Sequence, residues 1–347
     1  MMAGRRVEVV HPNSGWPEDF RREAEQLWGI WPTLLLYLHH IGSTAVPGLQ
    51  AKPIIDMLAI VRDVSELDGH APVLEKLGYR ALGEHGISGR RFYQKGGVQP
   101  THHLHVYPPG HPEVARHLAF RDYLRALPGD RDAYGSLKKR LAATFPEDIE
   151  HYMDGKKDWV QAAMRRAEEW WAIVPMVLIT GPVGVGKTTV AKALAVRLES
   201  CGTAYWAMDI DRLTDFAPRS PGDPFGFGMS TAGISSLWPV MRSAGVRVVI
   251  FPRVVESRLE IERLQASIPG ATALVVRLRA SLETLDGRIK GRSVGPRQAW
   301  DLQRTRELLP LMEATHASDV VVDTDGRSPD AIAKDIQAVL VRRFTIG

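Results

Sequence analysis

The sequence has little of what several classes of protein require. It contains a single cysteine, Cys201, which excludes a disulfide framework and a cysteine-rich zinc site. No apolar run approaches the ~20 residues that a membrane helix needs, and the opening segment MMAGRRVEVV lacks the apolar core of a signal peptide. The net charge of +4 is too small to indicate a nucleic-acid partner. We therefore expect a cytoplasmic protein with neither a membrane nor a nucleic-acid partner.

Length and residue distribution indicate two domains. At the usual ~100–200 residues per domain, 347 residues correspond to two, and 44% hydrophobic with 24% charged residues is the balance of a globular protein. Eleven of the 12 histidines precede residue 152, which suggests two halves with different chemistry. The charged stretch GKKDWVQAAMRRAEEWW is followed at Pro175 by an apolar segment, and proline cannot continue a helix. We predict domains at residues 1–173 and 174–347.

Hydrophobic periodicity differs between the two halves. The first half predicts mixed α and β structure, with strands at Val7–Val10, Ile54–Val61, Arg91–Lys95 and His103–Tyr107 and helices at Pro17–Trp28, Pro112–Ala126, Asp130–Thr144 and Ile149–Glu169. The second half alternates helices with strands at Met176–Thr180, Thr203–Met208, Arg247–Phe251, Ala273–Leu278 and Asp319–Val322. That alternation predicts an α/β domain whose five-stranded parallel sheet is covered by helices on both faces.

The strongest motif follows the first strand of the second half. The sequence GPVGVGKT, from Gly181 to Thr188, fits G-x-x-x-x-G-K-[ST] without mismatch and precedes the apolar helix VAKALAVRL. Glycines let backbone N–H groups turn toward a phosphate, the lysine adds positive charge, and the threonine hydroxyl ligates magnesium. We therefore predict an ATP and Mg²⁺ site that comprises Gly181, Gly184, Gly186, Lys187, Thr188 and Thr189.

Two carboxylates, Asp209 and Asp211, follow the second strand of this half. Because ligands of open α/β sheets bind at the carboxyl ends of strands, we predict that one partners magnesium and the other accepts a proton from an attacking hydroxyl, with Asp209 as the first choice. Helix capping is the structural alternative. The third strand ends in Phe-Pro-Arg253 without the aspartate of a Walker B strand. This departure favours a kinase over a mechanical ATPase and leaves Arg253 as either an anion contact or a surface residue.

A basic segment follows the fourth strand of this half. Arg288 and Arg292 are four residues apart and share a helix face, and Arg297 follows them. The pattern resembles the lid of nucleoside monophosphate kinase-like enzymes, whose arginines neutralise the transferring phosphoryl group; a solvated basic helix is the alternative. With the phosphate loop, it makes this half similar to the P-loop small-molecule kinases of the shikimate, gluconate and adenylate kinase-like group. The resemblance implies catalytic roles for Lys187, Asp209, Asp211, Arg288 and Arg292, phosphate binding by Arg297, and an acceptor near residues 222–228.

A second group of motifs lies in the first half. The turn Gly42-Ser43-Thr44 precedes the segment Lys52-Pro-Ile-Ile-Asp56, in which an acid lies on an apolar strand. In nucleotidyltransferases a Gly-Ser turn grips a triphosphate while strand carboxylates hold magnesium. With Arg90-Arg91-Phe-Tyr, the His-x-His pair at 103 and 105, the FRDYLR run from Phe120, and Lys156, these motifs resemble the GrpB family over roughly residues 6–170.

The resemblance to the GrpB family implies an α+β domain of the nucleotidyltransferase-like fold. Its anionic ligand is expected to contact Gly42, Ser43, Lys52, Asp56, Arg90 and Arg91. True nucleotidyltransferases carry a second acid two residues after the first, which is absent after Asp56, and one carboxylate holds a magnesium pair poorly. Because strand alternation puts His103 and His105 on one face, we hypothesise a divalent transition-metal site formed by Asp56, His103 and His105. The alternative is a hydrogen-bonded histidine strand in a domain that binds its ligand without chemistry.

Three functions follow from these motifs. The first is an ATP-dependent kinase for a small hydroxylated metabolite, in which the GrpB-like domain binds the substrate or product or activates it further by nucleotidylation. The second is a dephospho-CoA kinase-like enzyme, because GrpB-like domains resemble those fused to that kinase, although the kinase comes first in that fusion. The third is an ATP-gated binding module that does not turn over an acceptor.

Overall fold

A computed structural model describes residues 7–214, 218, 221–223, 225–314 and 317–346. The chain divides into two units: unit 1 holds the residues up to Trp171 together with Arg242–Gly245, and unit 2 holds Ala172–Met241 and the residues from Val246 onward. Each unit contains a five-stranded sheet. Within the described residues, no helix combines the length and apolarity needed to cross a membrane.

Unit 1 contains a mixed sheet. Its strands are β1 (Leu35–Ile41), β2 (Ile55–Val61), β3 (Tyr79–Ala81), β4 (Arg91–Lys95) and β5 (His102–Tyr107). Its helices are α1 (Trp16–Ile30), α2 (Ala71–Lys76), α3 (Pro112–Ala126), α4 (Pro128–Thr144) and α5 (Ile149–Ala172), with short 3₁₀ helices at Ser43–Ala45 and Ser65–His70. The strand order is β1-β2-β5-β4-β3, and β2 and β5 are the parallel neighbours.

Side-chain alternation along β2 decides which face carries the polar residues. Met57 packs with Leu27 of α1 on one face of the sheet, and Leu58 packs with residues of α3, α4 and α5 on the other. Alternate residues of a strand share a face, so Asp56 lies on the face covered by α3, α4 and α5. The parallel register then sets His103 of β5 beside Asp56.

The first half departs from the sequence predictions at several elements, and neither the short helix α2 nor the short strand β3 was predicted. Val7–Val10 is not a strand, because Val10 makes only an isolated bridge to Ala51. β1 is absent from the predictions because its sequence, LLYLHHI, places two histidines where an apolar alternation would indicate a strand. The predicted helix at Pro17–Trp28 and strand at Ile54–Val61 are confirmed as α1 and β2, with shifts of one or two residues.

Unit 2 alternates strands with helices. Its strands are β6 (Val174–Thr180), β7 (Tyr205–Ala207), β8 (Val248–Pro252), β9 (Ala271–Arg279) and β10 (Val320–Asp323). Its helices are α6 (Lys187–Ser200), α7 (Phe227–Ser243), α8 (Arg258–Ala266), α9 (Leu282–Arg292), α10 (Gly295–Ala314) and α11 (Pro329–Phe344). The order is β10-β9-β6-β8-β7 with every pair parallel, which confirms the predicted five-stranded parallel sheet.

The central strand β6 positions the phosphate loop. All seven of its residues are buried, because α6 and α11 cover one face of the sheet and α7 and α8 the other. Pro175 is tolerated inside this strand because pairing with β8 begins only at Met176. β6 ends at Thr180, so the glycine-rich loop begins at the carboxyl edge of the sheet, where ligands of this architecture bind.

Candidate active site

The phosphate loop joins β6 to the N-terminus of α6 and depends on its glycines. Gly181, Gly184 and Gly186 have φ angles of +144°, +85° and +100°, which side chains disfavour. A Cβ on Gly181 would lie 2.6 Å from the carbonyl oxygen of Leu278, and one on Gly184 would lie 2.9 Å from Cγ1 of Ile289. The loop can therefore pack this closely on its neighbours only without side chains at these two positions.

Lys187 begins α6 and reaches back over the loop. Its ammonium group donates hydrogen bonds to two loop carbonyl oxygens at 2.9 and 3.0 Å. Desolvation lowers the pKa of Lys187 to about 8; Arg292 acts in the same direction, while Asp211 and Asp209 oppose it. Four of the predicted catalytic residues therefore interact electrostatically at one place, and a bound phosphate would supply the negative charge that this ammonium group lacks.

The two aspartates after β7 line different cavities. Asp209 and Thr188 line a cavity of about 550 Å³ beside the phosphate loop, whereas Asp211 lines a cleft of about 500 Å³. A hydroxyl and a carboxylate in one cavity suit Mg²⁺, which takes oxygen ligands. Thr189, in the first turn of α6, is exposed. The aspartates thus divide into one beside the predicted metal ligand Thr188 and one facing the cleft.

Arg253 is a buried partner of Asp211 rather than a surface residue. Its side chain is 7% exposed, its Nη1 donates to Oδ1 of Asp211 at 2.8 Å, and its guanidinium lies 5.1 Å from the ring centre of Phe227. Partial desolvation and the charge of Asp209 raise the pKa of Asp211 from its ordinary value, although Arg253 opposes the shift. A carboxylate with a raised pKa is the better proton acceptor.

The cleft beside Asp211 combines charge with aromatic surface. Four arginines, four carboxylates and three aromatic side chains are among its lining residues. Residues 222–228, the predicted acceptor segment, contribute Asp223, Phe225 and Phe227; Pro224 lies outside the described residues. Asp223 accepts hydrogen bonds from the backbone N–H groups of Phe227 and Gly228 and so caps α7. A ligand in this cleft would therefore meet hydrogen-bonding groups and ring faces together.

Arg288 lies at the phosphate loop but acts on its backbone. It donates to the carbonyl oxygen of Val185 at 3.2 Å and to Oγ1 of Thr324 at 3.1 Å. It therefore ties the phosphate loop to the segment after β10. The guanidinium group is engaged by protein atoms, and its predicted contact with the transferring phosphoryl group stays a prediction.

A buried carboxylate holds the other two arginines of the predicted lid. Asp301 of α10 is 1% exposed and lies 3.4 Å from Nη2 of Arg292 and 3.2 Å from Nε of Arg297. Arg292 is close enough to Lys187 to influence its pKa. Arg297, which lies 4.8 Å from the ring centre of Trp300, lines the cleft of Asp211. The structure thus places Arg297 in the cleft lined by Asp211, and its predicted contact with the ATP phosphates stays a prediction.

In unit 1, the Gly-Ser turn packs directly on Asp56. Gly42 has a φ angle of +68°, and a Cβ there would lie 2.9 Å from Cβ and Cγ of Asp56. Oδ1 of Asp56 and Nδ1 of His103 are 3.0 Å apart. Burial would raise the pKa of Asp56, but the hydrogen bond with His103 holds it below its ordinary value. Asp56 is therefore an ionised, hydrogen-bonded carboxylate against the turn.

The structure does not assemble the hypothesised metal site. In the described ranges, no group of three His, Cys, Asp or Glu side chains converges in a way that could hold a metal ion. Asp56 is hydrogen-bonded to His103, while the ring of His105 packs 4.9 Å from Phe92 and 5.0 Å from His117. Burial lowers the pKa of His105 to about 3, which keeps it neutral. The ring of His105 is engaged in aromatic packing instead of metal coordination, and the predicted trio is not formed.

Arg90, which precedes β4, and Arg91, its first residue, are both engaged by protein atoms. Arg90 is buried and donates from Nε to the carbonyl oxygen of Glu84 at 3.0 Å. Arg91 forms a two-pronged ion pair with Asp68, at 2.9 and 3.1 Å. Both guanidinium groups have protein partners, so the predicted ligand contacts of Arg90 and Arg91 are not supported by their position.

Lys138, which the sequence motifs did not single out, contacts the Gly-Ser turn. Lys138 of α4 is 3% exposed and donates from Nζ to Oγ of Ser43 at 2.9 Å. The Nζ atoms of Lys52 and Lys156 lie 4.5 and 5.2 Å from the ring centre of Tyr152. The missed signal is a Tyr-x-x-x-Lys spacing repeated in α4 and α5, which stacks a lysine over a tyrosine one helical turn earlier.

The remaining family motif shapes the turn itself. Arg125 donates from Nε and Nη2 to the carbonyl oxygen of Ala45, at 3.0 and 2.7 Å. Thr44 donates to the carbonyl oxygen of Ile54, so its hydroxyl oxygen accepts the Nε2–H of His40. Desolvation lowers the pKa of His40 to about 4, so it stays neutral. The FRDYLR motif and His40 therefore fix the backbone of the Gly-Ser turn.

Comparisons with known proteins identify the first half. The family model described as GrpB protein matches residues 6–166. UPF0157 protein YqkA of Bacillus subtilis is 45% identical over 166 residues, which are 48% of this chain and 48% of YqkA. UPF0157 protein BH1888 of Halalkalibacterium halodurans is 40% identical over 162 residues, 46% of this chain and 82% of that protein. The chain belongs to the GrpB family. The matched GrpB segment contains the Gly-Ser turn, Asp56 and Lys138, and the chain spans about half the length of YqkA.

Kinases also occur among the proteins that resemble this GrpB-family chain. A dephospho-CoA kinase of Mycobacterium leprae is 31% identical over 165 residues, 39% of this chain and 40% of that enzyme. Among solved structures, GrpB from Enterococcus faecalis is 42% identical with a TM-score of 0.45, covering 47% of this chain and 98% of its own. A gluconokinase from Sinorhizobium meliloti is 22% identical, with a TM-score of 0.34 and coverages of 50% and 93%. Shikimate kinase from Acinetobacter baumannii, in complex with shikimate, is 21% identical, with a TM-score of 0.34 and coverages of 51% and 98%.

Proposed function

We propose that the second half of the chain, residues 174–347, is an ATP-dependent kinase that phosphorylates a hydroxyl group of a small metabolite. The observation that carries this proposal is the glycine loop between β6 and α6, with Lys187 at the start of α6 and Asp209 and Asp211 close enough to influence its pKa. The loop offers a phosphate site, and Asp211 opens onto a cleft large enough for a metabolite. A metabolite in that cleft would have its hydroxyl beside a proton acceptor.

The proposed transfer uses the two aspartates differently. The acceptor hydroxyl gives its proton to Asp211 as its oxygen bonds to the γ-phosphorus of ATP, and the bond from that phosphorus to the β-phosphate oxygen breaks to release ADP. Lys187 and Arg292 stabilise charge on the phosphates. Thr188 and Asp209 would hold Mg²⁺, which neutralises phosphate charge when bound. This arrangement makes Asp209 the metal partner and Asp211 the base.

The test is mass spectrometry of the products formed from ATP, Mg²⁺ and a panel of hydroxylated metabolites. We expect one acceptor to gain a phosphoryl group, and the Lys187→Met variant to lose at least 100-fold in rate. Lys334→Met is the matched control, because Lys334 is exposed on α11. If no acceptor is phosphorylated while ligand binding depends on ATP, the chain is instead the ATP-gated module.

A dephospho-CoA kinase-like activity is the second candidate. It is favoured by the resemblance to the Mycobacterium leprae enzyme, whose match spans less than half of either chain. The kinase-like half follows the GrpB segment here, which argues against this alternative. Incubation with dephospho-CoA and ATP decides the matter, because formation of CoA would support this candidate over the general metabolite kinase.

For the GrpB domain we propose binding of the substrate or product. Nucleotidyl transfer is the less favoured role, since Asp56 is hydrogen-bonded to His103 and no second acid follows it. Supplying a second nucleoside triphosphate with the phosphorylated product tests both roles. A nucleotide-linked product would establish a bifunctional enzyme, and its absence with retained product binding would support a binding domain.

A further inference from the structure

In two helices of unit 1, a lysine lies over the ring of a tyrosine four residues earlier. In α4, Lys138 lies 4.4 Å from the ring centre of Tyr134, and in α5, Lys156 lies 5.2 Å from that of Tyr152. Both pairs are four residues apart, so the lysine and the tyrosine share one helix face. The ring faces attract and orient the ammonium groups. Lys52, before β2, reaches the Tyr152 ring as well.

Keeping these ammonium groups charged and close together costs free energy, because they are desolvated and repel each other. Desolvation lowers the pKa of Lys138 to about 7, and the charge of Lys156 contributes to that shift. Desolvation also lowers the pKa of Lys156, although Asp56 opposes the shift. Within the part of the chain that the structure describes, neither Lys138 nor Lys156 forms an ion pair with a carboxylate. Like charges gathered in a desolvated place are stabilised by an anion that binds between them.

We propose that Lys138, Lys156, Lys52 and the Ser43 hydroxyl form a binding site for the phosphate group of a small molecule. A phosphate dianion carries two negative charges and can balance two ammonium groups, whereas a single carboxylate balances one. Lysine acts as a compact donor of charge and hydrogen bonds to such groups. The Ser43 hydroxyl, held by Lys138 at 2.9 Å, supplies a further hydrogen bond. The site is independent of phosphoryl transfer in unit 2.

Binding is measured by isothermal titration of inorganic phosphate and of sulfate into the full chain carrying Lys187→Ala, which removes the phosphate-loop lysine. We expect Lys138→Met and Lys156→Met to weaken phosphate binding at least tenfold each. Lys139→Met and Lys157→Met are the matched controls, since both lysines are exposed neighbours on the same helices. Equal affinity in all four variants, or no phosphate binding in the Lys187→Ala background, overturns the proposal.

The pH dependence separates a direct role of Lys138 from a structural one. Sulfate keeps its charge across the range, so its affinity should fall by up to tenfold per pH unit above pH 7 as Lys138 loses its proton. This dependence should disappear in Lys138→Met and persist in Lys139→Met. Acetate should bind at least tenfold more weakly than sulfate. If acetate binds equally well, the site takes carboxylates and the assignment to phosphate is wrong. If Lys138→Met does not fold, the phosphate affinity of Lys156→Met still tests the proposal, because Lys156 is less buried than Lys138.

Discussion

Replacement of Gly42 by alanine tests whether the turn and Asp56 are packed as one unit. Gly42 has a φ of +68° and Asp56 occupies the place of a side chain, whereas Gly83 has a φ of +61° with nothing within 4 Å of its Cβ position. Gly83→Ala therefore isolates the backbone strain, about 1–2 kcal/mol. Gly42→Ala adds the displacement of Asp56 and loss of its 3.0 Å hydrogen bond with His103, which costs about 1.5–3 kcal/mol more.

Amide hydrogen exchange along β2 and β5 measures this difference, since it reports the free energy of opening of these strands. We expect Gly42→Ala to lower the opening free energy by about 2.5–5 kcal/mol, against about 1–2 for Gly83→Ala. In an Asp56→Gly background the Cβ, Cγ and Oδ2 atoms that a side chain at position 42 would meet are all gone, so Gly42→Ala should then cost no more than the control. Equal costs of the two glycine variants in the wild-type background would refute the packing argument.

Three further predictions concern single side chains. The pKa of His40 in the folded protein is about 4, below the ordinary value of 6.5. The contribution of neutral His40 to stability is therefore complete above pH 6.5, and as the pH falls toward 4 it is lost by up to about 1.4 kcal/mol per pH unit. His40→Gln should reduce this pH dependence of stability, measured by urea denaturation between pH 4 and 6.5. Asp301→Asn should destabilise unit 2 by about 1.5–3 kcal/mol in thermal melts, because Asp301 holds Ser293, Arg292 and Arg297; an unchanged melting temperature contradicts this. Arg91→Ala should leave phosphate affinity unchanged and stability within about 1 kcal/mol, since Asp68, its partner, is exposed; weakened binding would restore its predicted ligand role.

The phosphate loop was predictable from sequence because its chemistry depends on the backbone. Gly181 and Gly184 meet neighbours that admit no side chain, so the motif is contiguous and its spacing is rigid. The parallel sheet was also predictable, because the alternation of apolar strands with helices can be read from neighbouring segments of the sequence. Asp209 and Asp211 were placed after the correct strand, but the partner of Asp211, Arg253, is 42 residues away and approaches it only in the fold.

The site in unit 1 was less predictable because side chains from separate helices complete it. The sequence motif supplied Ser43 and Asp56, but the nearest cationic partner of Ser43 is Lys138, 95 residues away. Arg90 and Arg91 carried the same charge and were nearer in sequence to the histidine strand, yet Glu84 and Asp68 hold them. Charge alone therefore does not indicate a ligand contact. Only the fold shows which cations have protein partners.

The two proposed phosphate sites would use different physical means. In unit 2 the loop backbone would provide most of the donors and Lys187 one charge, so geometry would set the affinity and the glycines would be indispensable. In unit 1 ammonium groups are held over tyrosine rings around the hydroxyl of Ser43, so accumulated charge would set the affinity. Such a site depends on the protonation of its lysines. Because the pKa of Lys138 is lowered to about 7, anion binding near neutral pH would be coupled to the uptake of a proton by Lys138. Under this proposal the domain would bind and release a phosphorylated compound in response to pH, and that task would need no carboxylate pair for catalysis.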